Sequence, residues 1–193
     1  MQANAIALAK ENIDKDPDLD EKSRATLRFE QRDVLQLRSQ DLKNAGPFNV
    51  IICNPPYIHT NDPSVSRSVR RWEPALALFP VPRSRSATSL EIFFRDEDIF
   101  YHKVLSLATE DVVDKIILME IGSKDQAIRV IRLANQLSLG PKDIIQIWRD
   151  WPDQKPTAGE ETNVTIDDKS YTIKGSGLCR SVVIRRFGEP LLV

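Results

Sequence analysis

The first 45 residues of the sequence contain no glycine, because all seven glycines lie at position 46 or later. This absence excludes a glycine-rich, nucleotide-binding turn of the Gly-x-Gly kind from that stretch. Gly175-Ser176-Gly177 is the single Gly-x-Gly in the sequence, but it precedes the last predicted strand and no helix follows it. We therefore predict that these three residues form a loop.

The sequence also has few cysteines, little net charge and no long apolar run. Cys53 and Cys179 are far apart in the sequence, so we expect a reducing compartment with no disulfide and no metal site. The 27 basic residues nearly cancel the 28 acidic ones, which leaves no overall field to attract nucleic acid. No apolar run reaches the length of a membrane span, and the first residues match neither a signal peptide nor a transit peptide. We expect no membrane association.

The composition is sufficient for one hydrophobic core. With 193 residues, of which 41% are hydrophobic, one domain covering residues 1–193 is the simplest organisation. Residues 80–89 have few apolar side chains and predict a surface insertion. A second insertion is predicted near residues 160–175, because residues 164–166 and 171–173 alternate in the manner of a small hairpin.

The most informative stretch runs from residue 48 to residue 58. Its first six residues, Phe48–Cys53, carry no charge and predict a strand that is buried on both faces. Asn54-Pro55-Pro56-Tyr57 then ends the strand abruptly, because two prolines remove two backbone donors. In open α/β sheets, the loops at the carboxyl ends of parallel strands hold the functional site.

The groups of Asn54-Pro55-Pro56-Tyr57 suit a planar NH2 group. Pro55 keeps Asn54 out of the helical region, so the Asn54 side chain and the Asn54 and Pro55 carbonyls can point past the strand end. These oxygens accept hydrogen bonds and can hold both hydrogens of an amide while its nitrogen faces an electrophile. Tyr57 adds an aromatic face for stacking. An amide nitrogen that attacks a sulfonium methyl group can lose its proton late, so positioning supplies most of the rate.

This motif resembles motif IV of the class I, S-adenosylmethionine-dependent amino-methyltransferases. More specifically, the chain is similar to the HemK/PrmC family, which methylates the side-chain amide of a glutamine in translation release factors. DNA and RNA amino-methyltransferases share the four-residue motif, and Trp72-Glu73-Pro74-Ala75-Leu76-Ala77-Leu78 is the segment that favours the glutamine family. The remaining matches are residues 5–12, Asp33, residues 118–122 with Gln126, and Asp150 with Arg180.

The resemblance implies an α/β fold with a Rossmann-like, mostly parallel sheet and an antiparallel C-terminal strand at its edge. It implies S-adenosyl-L-methionine as the cofactor, with Asp33 accepting from the adenine amine and Asn54 also contacting the cofactor. Asn54, Pro55 and Tyr57 are the implied catalytic residues, and Pro56 and Glu73 join them in binding the substrate. A peptide-chain release factor is the implied partner.

Compared with the order of elements in this family, the sequence begins at a later element of the fold. Ala5, Leu8, Ala9 and Ile13 have helical spacing, so a helix follows Met1 almost directly. In the family this helix follows the second strand. We therefore predict an N-terminally truncated, partial methyltransferase domain that lacks the first strands and the glycine-rich motif, and whose strand at residues 48–53 has an open edge.

Periodicity and capping residues predict the other elements. Strands are expected at residues 26–29, 116–120, 144–148 and 182–187, the last one antiparallel. Phe100, Val104, Leu107 and Ala108 mark an amphipathic helix, on which His102 has no partner at metal-ligand spacing. Ser123 and Gln126 predict a capping box at the start of another helix. The apolar stripe of that helix is Ala127, Val130, Ile131, Ala134 and Leu137.

Two of the candidate binding features have alternative interpretations. Asp33 either binds the cofactor or caps the turn at residues 34–38. Residues 59–71 are predicted to be a polar loop, and Arg67, Arg70 and Arg71 within it either face an acidic or RNA-like surface or are simply solvated.

The residues around the implied substrate site also have alternatives. Glu73-Pro74 either closes over the substrate, or Trp72, Leu76 and Leu78 anchor the segment on the core. Glu120, at a predicted strand end, is either a functional acid near the substrate or a structural carboxylate.

The leading functional hypothesis is an S-adenosylmethionine-dependent glutamine amide N-methyltransferase. The alternatives are an amino-methyltransferase of a nucleic-acid base, for which the basic residues visible are those of 67–71 and 83–85, or a non-catalytic fragment that has lost the cofactor-binding half. A mitochondrial or cytoplasmic location is expected from the resemblance.

Overall fold

The computed structural model describes residues 3–46, 48–80, 95–108, 113–137 and 143–186. It divides into two compact units, Met1–Leu37 and Arg38–Val193. The predicted insertion at residues 80–89 lies outside the described residues except for Pro80, which is buried. A single domain over residues 1–193 stays a prediction.

The first unit is built from two short helices. Helix α1 (Ala3–Lys15) confirms the predicted N-terminal helix, and helix α2 (Glu21–Thr26) begins where the Asp20 carboxylate accepts from the Ser23 amide at 2.6 Å. Arg24 links the two helices, since its Nε donates to the carbonyl of Ile13 at 3.1 Å. The strand predicted at residues 26–29 is wrong. Thr26 ends α2, and the described part of this unit offers no strand with which residues 27–29 could pair.

The second unit alternates helices and strands. Its helices are α3 (Ser39–Ala45), α4 (Arg67–Trp72), α5 (Ala75–Leu78), α6 (Ile99–Ala108) and α7 (Lys124–Gln136). Its strands are β1 (Phe48–Cys53), β2 (Val113–Glu120), β3 (Ile144–Trp151), β4 (Asn163–Ile166), β5 (Lys169–Lys174) and β6 (Ser176–Arg185). Single turns of 3-10 helix lie at Val34–Gln36 in the first unit and at Asp96–Asp98 in this one.

The described strands form one mixed sheet in the order β1-β2-β6-β3-β5-β4. The pairs β1–β2 and β3–β5 are parallel, whereas β6 is antiparallel to both of its neighbours and β4 is antiparallel to β5. The prediction that the last strand is antiparallel is confirmed, but its predicted place at the sheet edge is wrong. Val182, Val183 and Ile184 are at most 1% exposed, and such a continuous buried apolar run is typical of an interior strand.

The predicted hairpin is confirmed and extends the sheet. Strands β4 and β5 are joined by Asp167 and Asp168, whose φ angles of 47° and 64° are those of a two-residue hairpin turn with both residues left-handed. Strand β5 then pairs in parallel with β3, so the hairpin lies at the edge beyond β3.

The core lies between this sheet and the helices α6 and α7. Both helices have the predicted apolar stripes, and their fully buried residues pack on the strands. The largest fully buried side chains of this core include Tyr101, Leu105, Ile117, Met119, Ile131, Ile147 and Ile184. Burying one such side chain stabilises the fold by about 1.5–3 kcal/mol. The packing of α6 and α7 on the sheet therefore holds β2 and β6 in place.

Strand β1 is confirmed, but its predicted burial on both faces is wrong. Ile51 and Cys53 pack against the core, whereas Val50 is 45% exposed and Ile52 is 75% exposed. Successive side chains of a strand point to opposite faces, and the described core covers only the face of Ile51 and Cys53. Among the described strands, β1 has one neighbour, β2. The expected open edge of β1 is therefore present within the described part of the chain.

The loop predictions are wrong for residues 176–177 and for residues 67–71. Strand β6 already begins at Ser176, and Gly177 lies within it with a φ of 96°. A Cβ on Gly177 would stand 2.6 Å from Oδ2 of Asp150, so the close approach of this carboxylate requires glycine. Residues 67–72 form helix α4, because Ser66 caps it through the Val69 amide.

Candidate functional site

Asn54 stands at the carboxyl end of β1 and faces solvent. It is exposed, and its side-chain amide makes no hydrogen bond with any residue that the structure describes. Pro55, which follows it, is buried, and Pro56 and Tyr57 are half-buried. The polar end of the motif is therefore open, while the proline beside it is fixed in the protein.

Tyr57 points back onto the end of β2. Its hydroxyl donates a 2.8 Å hydrogen bond to Oε1 of Glu120, and its ring lies over Gly122, where a Cβ would be 3.2 Å from two ring carbons. Burial, followed by the hydrogen bond and the charge of Glu120, raises the pKa of Tyr57 to about 12, while Arg180 acts in the opposite direction. The phenol therefore stays protonated at neutral pH and donates to the carboxylate.

Glu120 has two contacts that the sequence did not indicate. Its carboxylate accepts from Tyr57, and its backbone carbonyl accepts from the hydroxyl of Tyr101 at 2.6 Å. Tyr101 is fully buried, so the end of β2 is held from beneath by α6. These contacts give Glu120 a structural role, and a part in catalysis stays a prediction.

Arg180 and Asp150 form an ion pair beside this site. Nε of Arg180 lies 2.6 Å from Oδ1 of Asp150, and the second carboxylate oxygen accepts from the Leu178 amide at 2.8 Å. The hydrogen bonds from Arg180 and Leu178 lower the pKa of Asp150. The charge of Arg180 also acts on Tyr57 and Glu120, so this pair belongs to the electrostatic surroundings of the motif.

A polar cleft of about 200 Å³ has Tyr57 among its lining residues. Its walls include the buried Gln126 and Glu97, the partly buried Arg129 and the acidic Asp62 and Asp125, so both signs of charge face it. Asn54 is not one of its lining residues. The structure therefore brings Tyr57, but not Asn54, to this cleft.

The segment that contains Glu73 is attached to the motif loop but not packed on the core. Trp72 is 77% exposed and Leu76 is 47% exposed, so the alternative that these side chains anchor the segment on the core is wrong for both. The half-buried Leu78 accounts for the attachment, since its carbonyl accepts from the Ile58 amide at 3.0 Å. Glu73 is exposed, and its contact with a substrate stays a prediction.

The three arginines of the predicted basic loop differ in role. Arg70 holds the loop after the motif, because its guanidinium donates to the carbonyls of Thr60 at 2.8 Å and Asp62 at 2.5 Å. Arg67 and Arg71 are exposed, and the guanidinium carbon of Arg71 lies 5.3 Å from the centre of the Trp72 ring. Arg70 is exposed as well, so all three arginines belong to an exposed basic surface.

Asp33 belongs to the first unit and caps the short turn that follows it. Its Oδ1 accepts from the Leu35 amide at 3.0 Å, which confirms the capping interpretation. Its other carboxylate oxygen is not used in this cap. A contact with the adenine of a cofactor stays a prediction.

Metal-binding and membrane-spanning features are missing from the part of the chain that the structure describes. No group of three or more histidine, cysteine or acidic residues in these ranges is arranged to hold a metal ion. His102 is half-buried, and burial lowers the pKa of its imidazole. Burial also raises the pKa of the Cys53 thiol to about 11. None of the described helices has the length and apolarity to cross a bilayer.

Comparison with known proteins found one informative similarity. No protein-family model and no solved structure matches the chain. Over 85 residues the chain is 29% identical to the release factor glutamine methyltransferase of Mycoplasma mycoides subsp. mycoides SC, a match that covers 42% of this chain. The match spans 25% of that relative's length. This weak and partial similarity suggests the same family and supports a methyltransferase.

Sequence reasoning missed a buried polar cluster next to Tyr57. It consists of Gln126, 3% exposed, Asp98, 0% exposed, and Arg129, whose side chain is 21% exposed. One signal was available, since Gln126 lies four residues before Val130 and therefore on the apolar stripe of its helix. A polar side chain in that position must find partners inside the protein.

Proposed function

We propose that this chain is an S-adenosylmethionine-dependent N-methyltransferase whose acceptor is the side-chain amide of a glutamine in a peptide-chain release factor. The observation that carries the proposal is the exposed Asn54 side chain, which has no partner among the described residues and follows β1 directly. Buried Pro55 fixes the backbone beside it. An open side-chain amide on a fixed backbone is suited to binding another planar amide.

In the proposed reaction, Asn54 and Pro55 hold the substrate. Oδ1 of Asn54 and the Pro55 carbonyl accept the two hydrogens of the glutamine NH2 group, and the Tyr57 ring limits where the amide plane can lie. Pro56 and Glu73 contact the polypeptide around the glutamine. As the methyl carbon bonds to the amide nitrogen, its bond to the sulfonium sulfur would break and leave a neutral thioether. The nitrogen would release its proton to water late in the transfer, so a strong base is not required.

S-adenosylmethionine would supply an electrophilic methyl group on a sulfonium centre. Two residues of the chain are compatible with it. One carboxylate oxygen of Asp33 is not used in its cap, which suits the exocyclic amine of adenine. Asn54, whose side chain has no partner among the described residues, suits the region of the reacting methyl group. No glycine precedes position 46, so we assign no glycine-rich turn to the cofactor.

The partial similarity supports the substrate class. The Mycoplasma relative is named a release factor glutamine methyltransferase, and the α/β arrangement with β1 parallel to β2 is compatible with a methyltransferase-like fold. The chain covers about a quarter of that relative, so the activity and partner of the whole relative are part of the proposal.

A nucleic-acid base is the second candidate acceptor. The observation that favours it is the 77% exposed Trp72 beside the exposed Arg71, since single-stranded nucleic acids bind through aromatic stacking and basic side chains. The small net charge of −1 does not favour a broad surface for binding nucleic acid.

Two measurements test the proposed function. Calorimetric titration of the full chain with S-adenosylmethionine should give saturable heat, and a folded sample without saturable heat would leave only a non-catalytic fragment. Labelled methyl groups should then appear on a release-factor fragment, but neither on the same fragment with its acceptor glutamine changed to alanine nor on an oligonucleotide. Transfer to the oligonucleotide alone would favour the second candidate.

A further inference from the structure

Gln126 uses every polar group of its buried side chain. Its Oε1 accepts from the Gly122 amide at 2.9 Å, and its Nε2 donates to the Tyr57 carbonyl and to Oδ1 of Asp98, both at 3.1 Å. The orientation of the side-chain amide is fixed by these partners, because a backbone amide can only donate and a carbonyl can only accept. Gln126 therefore links the loop after β2 directly to the motif loop.

The acceptor Asp98 is itself held in place by a buried ion pair. It is 0% exposed, and Nε of Arg129 lies 2.5 Å from its Oδ2. A second guanidinium nitrogen of Arg129 lies 3.1 Å from Oδ1, which is the oxygen that Gln126 contacts. Breaking such a pair is costly in the interior, so Asp98 keeps its acceptor oxygen in one place for Gln126.

Tyr57 is consequently held at two points. Gln126 binds its backbone carbonyl, and Glu120 accepts from its hydroxyl at 2.8 Å. Between these points the ring lies on Gly122, whose amide is bonded to the same glutamine. Because Tyr57 directly follows Pro56, fixing its carbonyl also fixes the end of the motif that begins at Asn54.

We infer that Gln126 is a positioning residue, which holds the loop Asn54-Pro55-Pro56-Tyr57 in register with the end of β2 so that the Tyr57 hydroxyl reaches Glu120. Its effect on methyl transfer rests on the proposed function, but its effect on the position of Tyr57 does not. Glutamine is suited to this place because glutamate has no donor for the Tyr57 carbonyl and would put a second carboxylate beside Asp98.

The test follows Tyr57 directly. The chain has three tyrosines, so the full-length protein labelled with 13C at the tyrosine Cζ gives three resonances, and Tyr57→Phe identifies the one from Tyr57. In Gln126→Ala, we expect the Tyr57 resonance to shift at neutral pH and its phenol to begin ionising at lower pH, as the hydroxyl leaves Glu120. Gln126→Glu should give the same shift, although it preserves the length of the side chain.

The matched control is Asn135→Ala on the same helix. Asn135 donates to the hydroxyl of Tyr171 at 2.8 Å, so this variant should move the Tyr171 resonance and leave that of Tyr57 unchanged. An unchanged Tyr57 resonance in a folded Gln126→Ala protein would overturn the inference. Gln126→Met keeps the side-chain volume for the case in which alanine unfolds the protein, and unfolding of both variants would assign Gln126 to global stability instead.

Kinetics provide the second measurement if the wild-type chain transfers methyl groups. We expect kcat per folded molecule to fall roughly 100-fold in Gln126→Ala with little change in KM, because a small displacement of the reacting groups has an effect of this order. A purely structural role would lower the folded fraction and leave kcat per folded molecule unchanged. If the wild type shows no transfer, the proposed function fails, while the tyrosine resonances still decide the role of Gln126.

Discussion

The hydroxyl of Tyr57 donates a 2.8 Å hydrogen bond to the carboxylate of Glu120, which lies 63 positions further along the chain. One residue belongs to the loop after β1 and the other ends β2, and these two strands are parallel neighbours. The parallel pairing of Cys53 with Met119 places Tyr57 near Glu120, because it brings the carboxyl ends of both strands to the same edge of the sheet. The bond therefore joins two segments that the sequence suggested separately.

Replacing Glu120 with glutamine should lower the pKa of Tyr57 from about 12 toward the ordinary value of about 10, without reaching it, since burial is the largest cause of the shift and remains. Ionisation of the Tyr57 phenol, followed by 13C resonances, should thus begin at lower pH in Glu120→Gln. An unchanged titration would show that Glu120 does not act on this hydroxyl.

The same pKa gives a pH dependence of stability. A folded-state pKa that is raised above the unfolded value favours the neutral phenol in the folded protein. The stabilising contribution of Tyr57 is therefore complete below about pH 10 and is lost as the pH rises toward about 12. The free energy of unfolding in urea should decline over this range more steeply in the wild type than in Tyr57→Phe.

Asn54→Ala should reduce methyl transfer by about 100- to 1000-fold and leave cofactor binding nearly unchanged. The expected size is that of removing one group aimed at the reacting atoms. The exposed Asn61 provides the control, because Asn61→Ala removes a side chain near the motif while its backbone hydrogen bond to His59 remains. Transfer rates and calorimetric titration measure the two effects. Full transfer activity in Asn54→Ala would remove this residue from the proposed mechanism.

The sequence predicted most of the elements of the second unit because their signals are local. Unbroken apolar runs, the cap at Ser123 and the alternation at residues 164–166 and 171–173 each act over a few positions. The place of β6 in the sheet was missed, because strand order depends on pairing between distant segments. The exposure of Ile52 was missed for a related reason, since an apolar run reveals nothing about which neighbours cover it.

For the site, the sequence indicated Asn54 and Tyr57, but not the residues that keep the motif loop in position. Gln126 appeared only as a capping residue, and the structure confirms that Ser123 caps α7 through the Gln126 amide at 3.2 Å. The reciprocal bond of a capping box is replaced, because the Gln126 side chain accepts from Gly122. The Nε2 group of the same side chain donates to the carbonyl of Tyr57, which lies 69 positions earlier in the chain, and this partner depends on the tertiary fold.

Gly122→Ala tests the packing beneath Tyr57. The added Cβ would lie 3.2 Å from two carbons of the Tyr57 ring, so the ring must move by a few tenths of an ångström. We expect a loss of about 1–3 kcal/mol in the free energy of unfolding, which is typical of overpacking. In a Tyr57→Ala background the same substitution should cost much less, because its neighbour is gone. Equal costs in both backgrounds would mean that the ring is not the obstacle.

Arg129→Ala should be one of the most destabilising changes on α7. It leaves Asp98, which is 0% exposed, without its cation, and breaking a buried pair typically costs about 3–5 kcal/mol. Arg132→Ala is the matched control on the same helix, since its pair with Asp167 has side chains that are 50% and 58% exposed and should contribute about 0–1 kcal/mol. Urea denaturation of both variants measures the difference.

The double variant Asp98→Leu with Arg129→Met separates the two sources of that cost. If the loss in Arg129→Ala comes from an uncompensated buried charge, removing both charges should be less destabilising than removing the arginine alone. The Nε2 group of Gln126 then loses one acceptor but keeps the Tyr57 carbonyl. A double variant at least as unstable as Arg129→Ala would show that packing and hydrogen bonding around Gln126, and not charge, carry the stability of this cluster.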